Sequence, residues 1–520
     1  MDEPLNSDTI AAISTALGPG AIGIVRLSGP EALAVAQRVF RPARGRSVGS
    51  HETFCLLYGH VIDPEDGKVV DEALLAVMRA PRSYTREDVV EFHCHGGLAA
   101  QRAVLRLVLR VGARLAEPGE FTRRAFLNGR IDLAQAESVA AIVAAKSSVA
   151  LRASVRQLEG GLSQRLRALR RVLLGVLARI EATIDFSDED VEPIEWAEIT
   201  AELEHAQKGL EQLVDTAFLG RVLEQGLRTA IVGRPNVGKS SLLNALLMRE
   251  RAIVSDIPGT TRDTVEELVE IGGVPVHLVD TAGIRQGGDH VEQLGVARSV
   301  KAMEQADLVL AVVDLAAPWN DEDTSLVKSL DPRRTIVVGN KIDLVRGRAE
   351  AVEASMRQKV TEVTGALGGC GGRTGVAEGH GGRDVLGEGN TSTRRATGTS
   401  EKEKDVVRGA EVTSEWQVCA VSARTGERLE RLRALLQEMA TGGAGFHLEE
   451  PVLATERQRR LASEACAGVV AALEAARAGA GEELVCEEIR GAVQALGRIT
   501  GEELTPDLLD EIFSRFCLGK

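Results

Sequence analysis

The chain has 520 residues and a formal net charge of −14, with 62 Lys and Arg against 76 Asp and Glu, so a generally basic nucleic-acid-binding protein is excluded, although a local basic patch is not. The length predicts about three domains. Seven scattered cysteines, with no Cys-x-x-Cys pair, indicate reduced thiols. No secretion signal, transit peptide or bilayer-spanning run is apparent. We therefore expect a cytoplasmic, multidomain protein without a transmembrane segment.

The first 217 residues fall into two predicted parts. Residues 1–120 mix strand-like runs at 21–27, 74–78 and 89–93 with turns and short helices, which predicts an α/β domain. Residues 121–217 read as helical. An apolar stripe at three- and four-residue spacing predicts one long helix through Leu151, Val155, Leu158, Leu162, Leu166, Leu169, Leu173, Val176 and Ile180.

The remaining residues predict an insertion. Residues 218–445 alternate strands and helices, and residues 446–520 are helical again, with Val485, Ile489, Val493 and Leu496 on one face and a helix start at Pro506. Two helical parts around an α/β part indicate a domain inserted into a helical domain. Residues 365–405 are rich in glycine and poor in large apolar residues, so we predict a disordered surface insertion there.

The stretch Gly233-Arg-Pro-Asn-Val-Gly-Lys-Ser240 fits the P-loop pattern between a predicted strand and a predicted helix. Backbone N–H groups at such a helix start bind phosphate oxygens. Lys239 is predicted to contact the β- and γ-phosphates, and the Ser240 hydroxyl to ligate Mg²⁺. The predicted phosphate-binding residues of this loop are Asn236, Val237, Gly238, Lys239, Ser240 and Ser241.

Three later motifs identify the base as guanine. Asp280-Thr281-Ala282-Gly283 is suited to the Mg²⁺ shell and the γ-phosphate. In Asn340-Lys341-Ile-Asp343, the carboxylate can accept two hydrogen bonds from guanine, whereas adenine leaves it unpaired. Ser422-Ala423-Arg424 is predicted to close over the base. Together these motifs predict a GTPase with a P-loop, Ras-like domain.

The loops that follow the P-loop and the Asp280 motif contain candidate residues for GTP hydrolysis. Thr261, in Gly259-Thr-Thr-Arg-Asp263, is the predicted second Mg²⁺ ligand. Ile284 stands where many GTPases place a water-orienting glutamine, so another group must act, and the next loop offers Asp289, His290 and Glu292. Asn236 can help to bind a monovalent cation. Further oxygen ligands are available from Ser255, Asp256, Ile257, Pro258, Gly259 and Thr260.

Outside these motifs, the chain resembles the MnmE (TrmE) family of tRNA-modifying GTPases over nearly its whole length. The stretches that carry the resemblance are Gly23-Ile-Val-Arg-Leu-Ser-Gly29, His95-Gly-Gly97, Pro118-Gly-Glu-Phe-Thr-Arg-Arg-Ala-Phe-Leu-Asn128, Asp132-Leu-Ala-Gln-Ala-Glu137, Asp185-Phe-Ser-Asp188 and Phe516-Cys-Leu-Gly-Lys520. The resemblance implies an N-terminal folate-binding domain, a helical domain and an inserted GTPase domain.

The resemblance also implies an activity. Such proteins are homodimers that join the flavoprotein MnmG, which carries FAD, in a heterotetramer. They add a carboxymethylaminomethyl or aminomethyl group at C5 of wobble uridine in tRNA. The one-carbon unit comes from 5-formyl- or 5,10-methylene-tetrahydrofolate, and K⁺-dependent GTP hydrolysis drives pairing of the GTPase domains.

Residue by residue, the resemblance places folate contacts on Arg26, Glu91, Arg130 and Lys520, with arginine at 130 where the family often has lysine. It places K⁺ ligands on Asn236, Ser255, Ile257 and Thr260, and the catalytic glutamate on Glu292 beside Lys239. Cys517 is either a nucleophile or a structural residue. Two other interpretations stay open: a ribosome-assembly GTPase, and a non-catalytic protein that uses GTP as a timer.

Overall fold

The computed structural model contains two compact units. The flanking unit comprises Met1–Glu224 and His447–Lys520, and the inserted unit comprises Gln225–Phe446. The structure describes residues 8–44, 48–50, 52–185, 195–248, 266–280, 302–365, 415–441, 451–503, 506–514, 516–517 and 519. In these parts of the chain, no helix has both the length and the apolarity to cross a bilayer.

The flanking unit begins with a seven-stranded sheet. Its strands are β1 Ile10–Ile13, β2 Ile22–Ser28, β3 Phe40–Pro42, β4 Cys55–Ile62, β5 Val69–Met78, β6 Val89–His95 and β7 Arg114–Leu115. The order is β3-β4-β5-β6-β2-β1-β7, antiparallel except for β1 with β7. Two helices, α1 Ala32–Val39 and α2 Leu98–Arg110, share its core. The predicted α/β class of this domain is confirmed.

Period-two alternation decides which side chains line the opposite face of this sheet. Val25 and Leu27 of β2 and Phe92 of β6 are fully buried in the core. Arg26 and Glu91 alternate with them and are directly opposite each other in the β2–β6 register. The sheet therefore brings together two residues that lie 65 positions apart in the chain.

Helices follow the sheet. They are α3 Glu120–Leu127, α4 Leu133–Ala144, α5 Ser148–Leu158, α6 Gly161–Asp185, α7 Trp196–Asp215 and α8 Ala217–Gln225. The prediction of one long helix through residues 151–180 is wrong, because the chain breaks between α5 and α6 at Gly160, which has φ +92°. Glycine adopts this left-handed conformation without steric cost. Leu158 and Leu162 keep a four-residue spacing across the break, so the periodicity gave no sign of it.

The inserted unit holds a second sheet. Its strands are β8 Leu227–Val232, β9 Glu266–Ile271, β10 Val274–Asp280, β11 Leu308–Asp314, β12 Thr335–Asn340 and β13 Gln417–Ala420. The order is β13-β12-β11-β8-β10-β9, parallel except for the β9–β10 pair. Its helices are α9 Lys239–Met248, α10 Asp321–Lys328, α11 Ala349–Gly365 and α12 Leu429–Ala440.

The central strands of this sheet are apolar almost throughout, as expected for parallel strands covered on both faces. Residues 308–312 of β11, for example, are all buried. Because the strands are parallel, the loops after β8, β10, β11, β12 and β13 all leave from one edge, which is where such sheets bind ligands.

The last helices are α13 Glu456–Ala478, α14 Glu482–Thr500 and α15 Pro506–Ser514. The helix start predicted at Pro506 is confirmed, and Val485, Ile489, Val493 and Leu496 are buried as expected. Residues of α6, α7, α13 and α14 form one hydrophobic core, so chain segments on both sides of the inserted unit build a single helical domain. The predicted fold class, α/β domains with a helical domain, is confirmed.

Candidate functional site

The P-loop connects β8 to α9 through three residues with positive φ. Gly233 has φ +150°, Asn236 +66° and Gly238 +95°. A Cβ on Gly238 would lie 2.3 Å from Asn340 Nδ2, so only glycine fits there. The helix begins at Lys239, directly after the loop, so the positive end of its dipole lies where an anion binds to such loops.

The Lys239 side chain is buried and lies within this loop. Its Nζ donates to the carbonyl oxygens of Gly233 at 2.8 Å and Arg234 at 2.9 Å. These bonds hold a positive charge beside the start of α9, where Ser240 and Ser241 are exposed. The arrangement suits a polyphosphate in charge and in backbone shape.

Asn340, at the end of β12, joins two of the motifs to each other. Its Nδ2 donates to the Val237 carbonyl at 2.8 Å, and its Oδ1 accepts from the Ala423 N–H at 3.0 Å. The side chain is 2% exposed, and the loss of either bond would leave a buried polar group unpaired. The predicted phosphate loop and the predicted base loop are therefore held together by one amide.

Lys341 adds a second link to the phosphate loop. Its Nζ donates to the Asn236 carbonyl at 3.0 Å and pairs with Asp314 at 2.6 Å. Asp314 was not predicted, although it ends β11 directly opposite Asn340 in the register. Asp343 is exposed at the same edge, free of the sheet core and accessible to a base.

The Ser422 loop is held by a hydrogen bond within the loop and by a carboxylate of α11. Ser422 is buried, and its Oγ accepts from the Thr425 N–H at 3.1 Å. Arg428 pairs with Glu353 at 2.8 Å, and the same carboxylate accepts from the Ala420 N–H at 2.9 Å. No spacing in the sequence indicated this support, because Arg428 lies 75 positions after Glu353, just before α12. Arg424 is exposed beside the loop.

Several predicted residues lie outside the described residues. These are Ser255, Asp256, Ile257, Pro258, Gly259, Thr260, Thr261, Thr281, Ala282, Gly283, Glu292 and Lys520, with the insertion after Gly365. For Asp280 only the backbone is described, as the last residue of β10 beside Ile231. Their predicted roles stay predictions.

A second cluster lies on the open face of the N-terminal sheet. The Arg26 Nε donates to Glu91 Oε1 at 2.8 Å, and Glu91 Oε2 lies 3.2 Å from His93 Nε2. Burial raises the pKa of Glu91, but the hydrogen bond with His93 and the charge of Arg26 outweigh it, so the net pKa is below the usual value. The carboxylate is therefore ionised at neutral pH, with lone pairs left for ligand N–H donors.

The Tyr84 ring contacts two guanidinium groups, that of Arg26 in this cluster and that of Arg130. The ring centroid is 5.5 Å from Arg26 Cζ and 4.7 Å from Arg130 Cζ, and the hydroxyl is hydrogen-bonded to Thr122 Oγ1 at 2.9 Å. Such cation–π contacts orient both arginines. Tyr84 was missed, since a single aromatic residue in a loop has no diagnostic spacing.

The C-terminal residues reach the same sheet. The Ser14 Oγ donates to the Gly519 carbonyl at 3.1 Å, immediately after β1, and the Gly119 N–H donates to the Cys517 carbonyl at 3.4 Å. Since Ala12 is opposite Arg26 in the β1–β2 register, Gly519 lies near the cluster. Three of the four predicted folate residues thus share one region, and Gly519, which precedes the fourth, lies beside it. Cys517 is exposed.

His95 ends β6, four residues after Glu91. His95 Nδ1 is 2.7 Å from Asp71 Oδ1, and this hydrogen bond raises the pKa of the histidine. Within the described part of the chain, no group of three or more His, Cys, Asp or Glu side chains is placed to hold a metal ion.

The parallel sheet, the P-loop at its carboxyl edge and the Asn340 link define a nucleotide-binding protein of the P-loop GTPase class. Family models agree: residues 9–130 match the N-terminus of the GTP-binding protein TrmE, and residues 133–517 match the MnmE helical domain. The chain belongs to the MnmE family.

Full-length relatives support this membership. Proteins named tRNA modification GTPase MnmE are 43% identical in Moorella thermoacetica and 43% identical in Heliobacterium modesticaldum, each over 99% of this chain and 99% of the relative. A protein of the same name in Symbiobacterium thermophilum is 44% identical over 99% of this chain and 100% of its own length. The family membership leaves the ribosome-assembly interpretation without support.

Proposed function

We propose that this chain hydrolyses GTP and, with the flavoprotein MnmG, adds a carboxymethylaminomethyl or aminomethyl group at C5 of wobble uridine in tRNA. The observation that carries the proposal is that two sites occur in one chain of this family. One is the nucleotide loop cluster joined by Asn340, and the other is the Arg26–Glu91 pair on the N-terminal sheet. A GTPase acting alone has no need of the second site.

At the nucleotide site, the chain binds and orients GTP. Lys239 and the N–H groups at the start of α9 neutralise the phosphates, and Asp343 selects guanine. Ser240 and Thr261 are the proposed Mg²⁺ ligands. The proposed K⁺ ligands are Asn236, Ser255, Ile257 and Thr260. Asn236 fits this role because its backbone carbonyl accepts from Lys341 Nζ, whereas the residue itself is exposed and can offer its side-chain oxygen.

At the sheet site, Glu91 is proposed to accept hydrogen bonds from the pterin, while Arg26, Arg130 and Lys520 bind carboxylate groups. A bound tetrahydrofolate derivative supplies the one-carbon unit. The ionised state of Glu91 and its partly buried position fit a ring with several N–H donors. The chain itself has no dinucleotide-binding fingerprint, so FAD is assigned to MnmG. We also propose a cytoplasmic homodimer within the complex with MnmG.

The test is nucleoside mass spectrometry of tRNA from the source organism after deletion of the gene. We expect the C5 group to vanish from wobble uridine and to return with the native gene, but not with a Lys239→Ala gene. Unchanged wobble uridine in the deletion strain would overturn the proposal, and ribosome profiles would then be the next measurement.

Replacing Glu292 with Gln is expected to slow GTP hydrolysis by about 100-fold or more, because the amide cannot act as a base toward the attacking water. GTP affinity should stay near that of the native chain, since the phosphate and base loops are untouched. Single-turnover hydrolysis and equilibrium binding of a fluorescent GTP analogue separate the two effects. Near-native turnover would remove Glu292 from the mechanism.

Replacing Glu91 with Gln is expected to weaken 5-formyl-tetrahydrofolate binding by about 10- to 100-fold, since a charge-assisted hydrogen bond is lost. Isothermal titration calorimetry on the full chain measures this. Glu72→Gln is the matched control, because Glu72 is an exposed β5 carboxylate bonded to the Tyr58 hydroxyl. Equal folate affinities for the two variants would show that Glu91 does not bind the folate.

A further inference from the structure

Two arginines at the edge of the Arg26–Glu91 cluster have no carboxylate partner among the described residues. Arg130 is exposed and lies against the Tyr84 ring, with 4.7 Å from Cζ to the centroid. Arg86 is exposed and donates from Nη1 to the Asn128 carbonyl at 2.8 Å. Both partners are neutral, so both charges are positioned without being neutralised.

The Arg86 side chain is fixed by its loop. Arg86 has φ +60°, a left-handed conformation that is uncommon for a residue other than glycine and often marks functional loops. The Asn128 Nδ2 donates back to the Thr85 carbonyl at 2.6 Å, which ties the loop to the chain just before Arg130. The guanidinium group of Arg86 therefore lies against the turn at Asn128 and Gly129, immediately before Arg130.

The acidic side chains nearby are already paired with other groups. Glu87 accepts from Arg124 and from the Ser28 hydroxyl, and Glu91 accepts from Arg26. Asp88 accepts from the Ala80 N–H. Although the chain has a net charge of −14, this rim presents two cations to solvent that form no ion pair with a carboxylate among the described residues. Such a rim attracts an anion with several charges.

We propose that Arg86, together with Arg130, binds the γ-linked oligoglutamate tail of the folate, so that the site prefers polyglutamylated over monoglutamylated tetrahydrofolate. The inference rests on the proposed folate site. Each added glutamyl unit carries one carboxylate, and a planar guanidinium binds a carboxylate through two parallel hydrogen bonds. Both arginines are exposed, so a tail can pass them and continue into solvent.

The test compares binding of 5-formyl-tetrahydrofolate as the monoglutamate and as the pentaglutamate to the full chain. We expect the native chain to bind the pentaglutamate about fivefold more tightly at low salt, the size expected for one or two exposed charge pairs. The Arg86→Gln variant should lose most of this preference and keep its monoglutamate affinity. Arg102→Gln, at an exposed position of α2, makes the same change of charge and should behave as native. Raising the salt concentration should reduce the preference.

The outcomes distinguish the oligoglutamate inference from the folate site on which it rests. If the monoglutamate binds but the native chain shows no preference for the pentaglutamate, the oligoglutamate inference fails and the folate site stands. If neither folate binds, the folate site itself fails. An equal loss of both affinities in Arg86→Gln would assign Arg86 to loop structure alone. A loss of tRNA binding with the folate preference unchanged would assign the rim to RNA phosphates instead.

Discussion

Replacing Gly238 with Ala is expected to weaken GTP binding by about 100-fold or more, the sum of backbone strain and one broken buried hydrogen bond. The added Cβ would lie 2.3 Å from Asn340 Nδ2, and residue 238 has φ +95°. Relief of this overlap moves Asn340 away from the Val237 carbonyl, to which it donates at 2.8 Å. The loop then loses both its shape and its link to the base-binding side. Titration with a fluorescent GTP analogue measures the loss.

The control is Gly365→Ala in the same unit. A Cβ at Gly365, the last residue of α11, meets nothing within 4 Å, so GTP affinity should not change. Asn340→Ala gives an independent test, because it removes the same hydrogen bond without straining the backbone. It should weaken GTP binding in the same direction. Native-like affinity in both Gly238→Ala and Asn340→Ala would show that the link between the loops is not needed for binding.

The shape of the phosphate loop was predictable because it depends on local sequence. A P-loop needs glycine at fixed positions and lysine at the helix start, and all of them are adjacent in the chain. The positions of Gly233, Gly238 and Lys239 in the structure follow directly from that pattern. The bonds of Asn340 did not follow, because they join residues 103 and 83 positions apart.

The site on the N-terminal sheet, in contrast, could not be predicted from local sequence. No local pattern marks Arg26, Glu91 and Arg130, and only the family resemblance singled them out. Their proximity comes from the β2–β6 register and from the position of Tyr84. The helix break at Gly160 was hidden for a related reason, since the apolar spacing continues through it while Leu151 and Val155 point to solvent, 42% and 38% exposed. Periodicity reports which face is apolar and not where the chain turns.

Replacing Glu137 with Ala is expected to destabilise the helical domain by about 3–5 kcal/mol, the cost of leaving a buried charge without its partner. Both carboxylate oxygens are bonded: Arg457 donates from Nε at 2.7 Å and from Nη2 at 2.8 Å, and Gln458 donates from Nε2 at 2.6 Å. The Glu137 side chain is 9% exposed, and that of Arg457 is 13% exposed. Urea denaturation of the full chain, monitored through the circular dichroism signal of the helices, measures the shift in the urea concentration at the unfolding midpoint.

This ion pair joins α4 to α13 across 320 residues of sequence, so it stabilises a domain whose two parts are separated by the inserted unit. Arg457 also donates to the carbonyls of Arg498 and Ile499 at the end of α14, which makes it the connection between three helices. Glu204→Ala is the control, because its pair with Arg477 is exposed on both sides and contributes little. A double variant, Glu137→Met with Arg457→Met, should recover part of the loss, since no unpaired charge remains buried. If Glu137→Ala and Glu204→Ala shift the midpoint equally, the burial of the Glu137–Arg457 pair does not increase its contribution to stability.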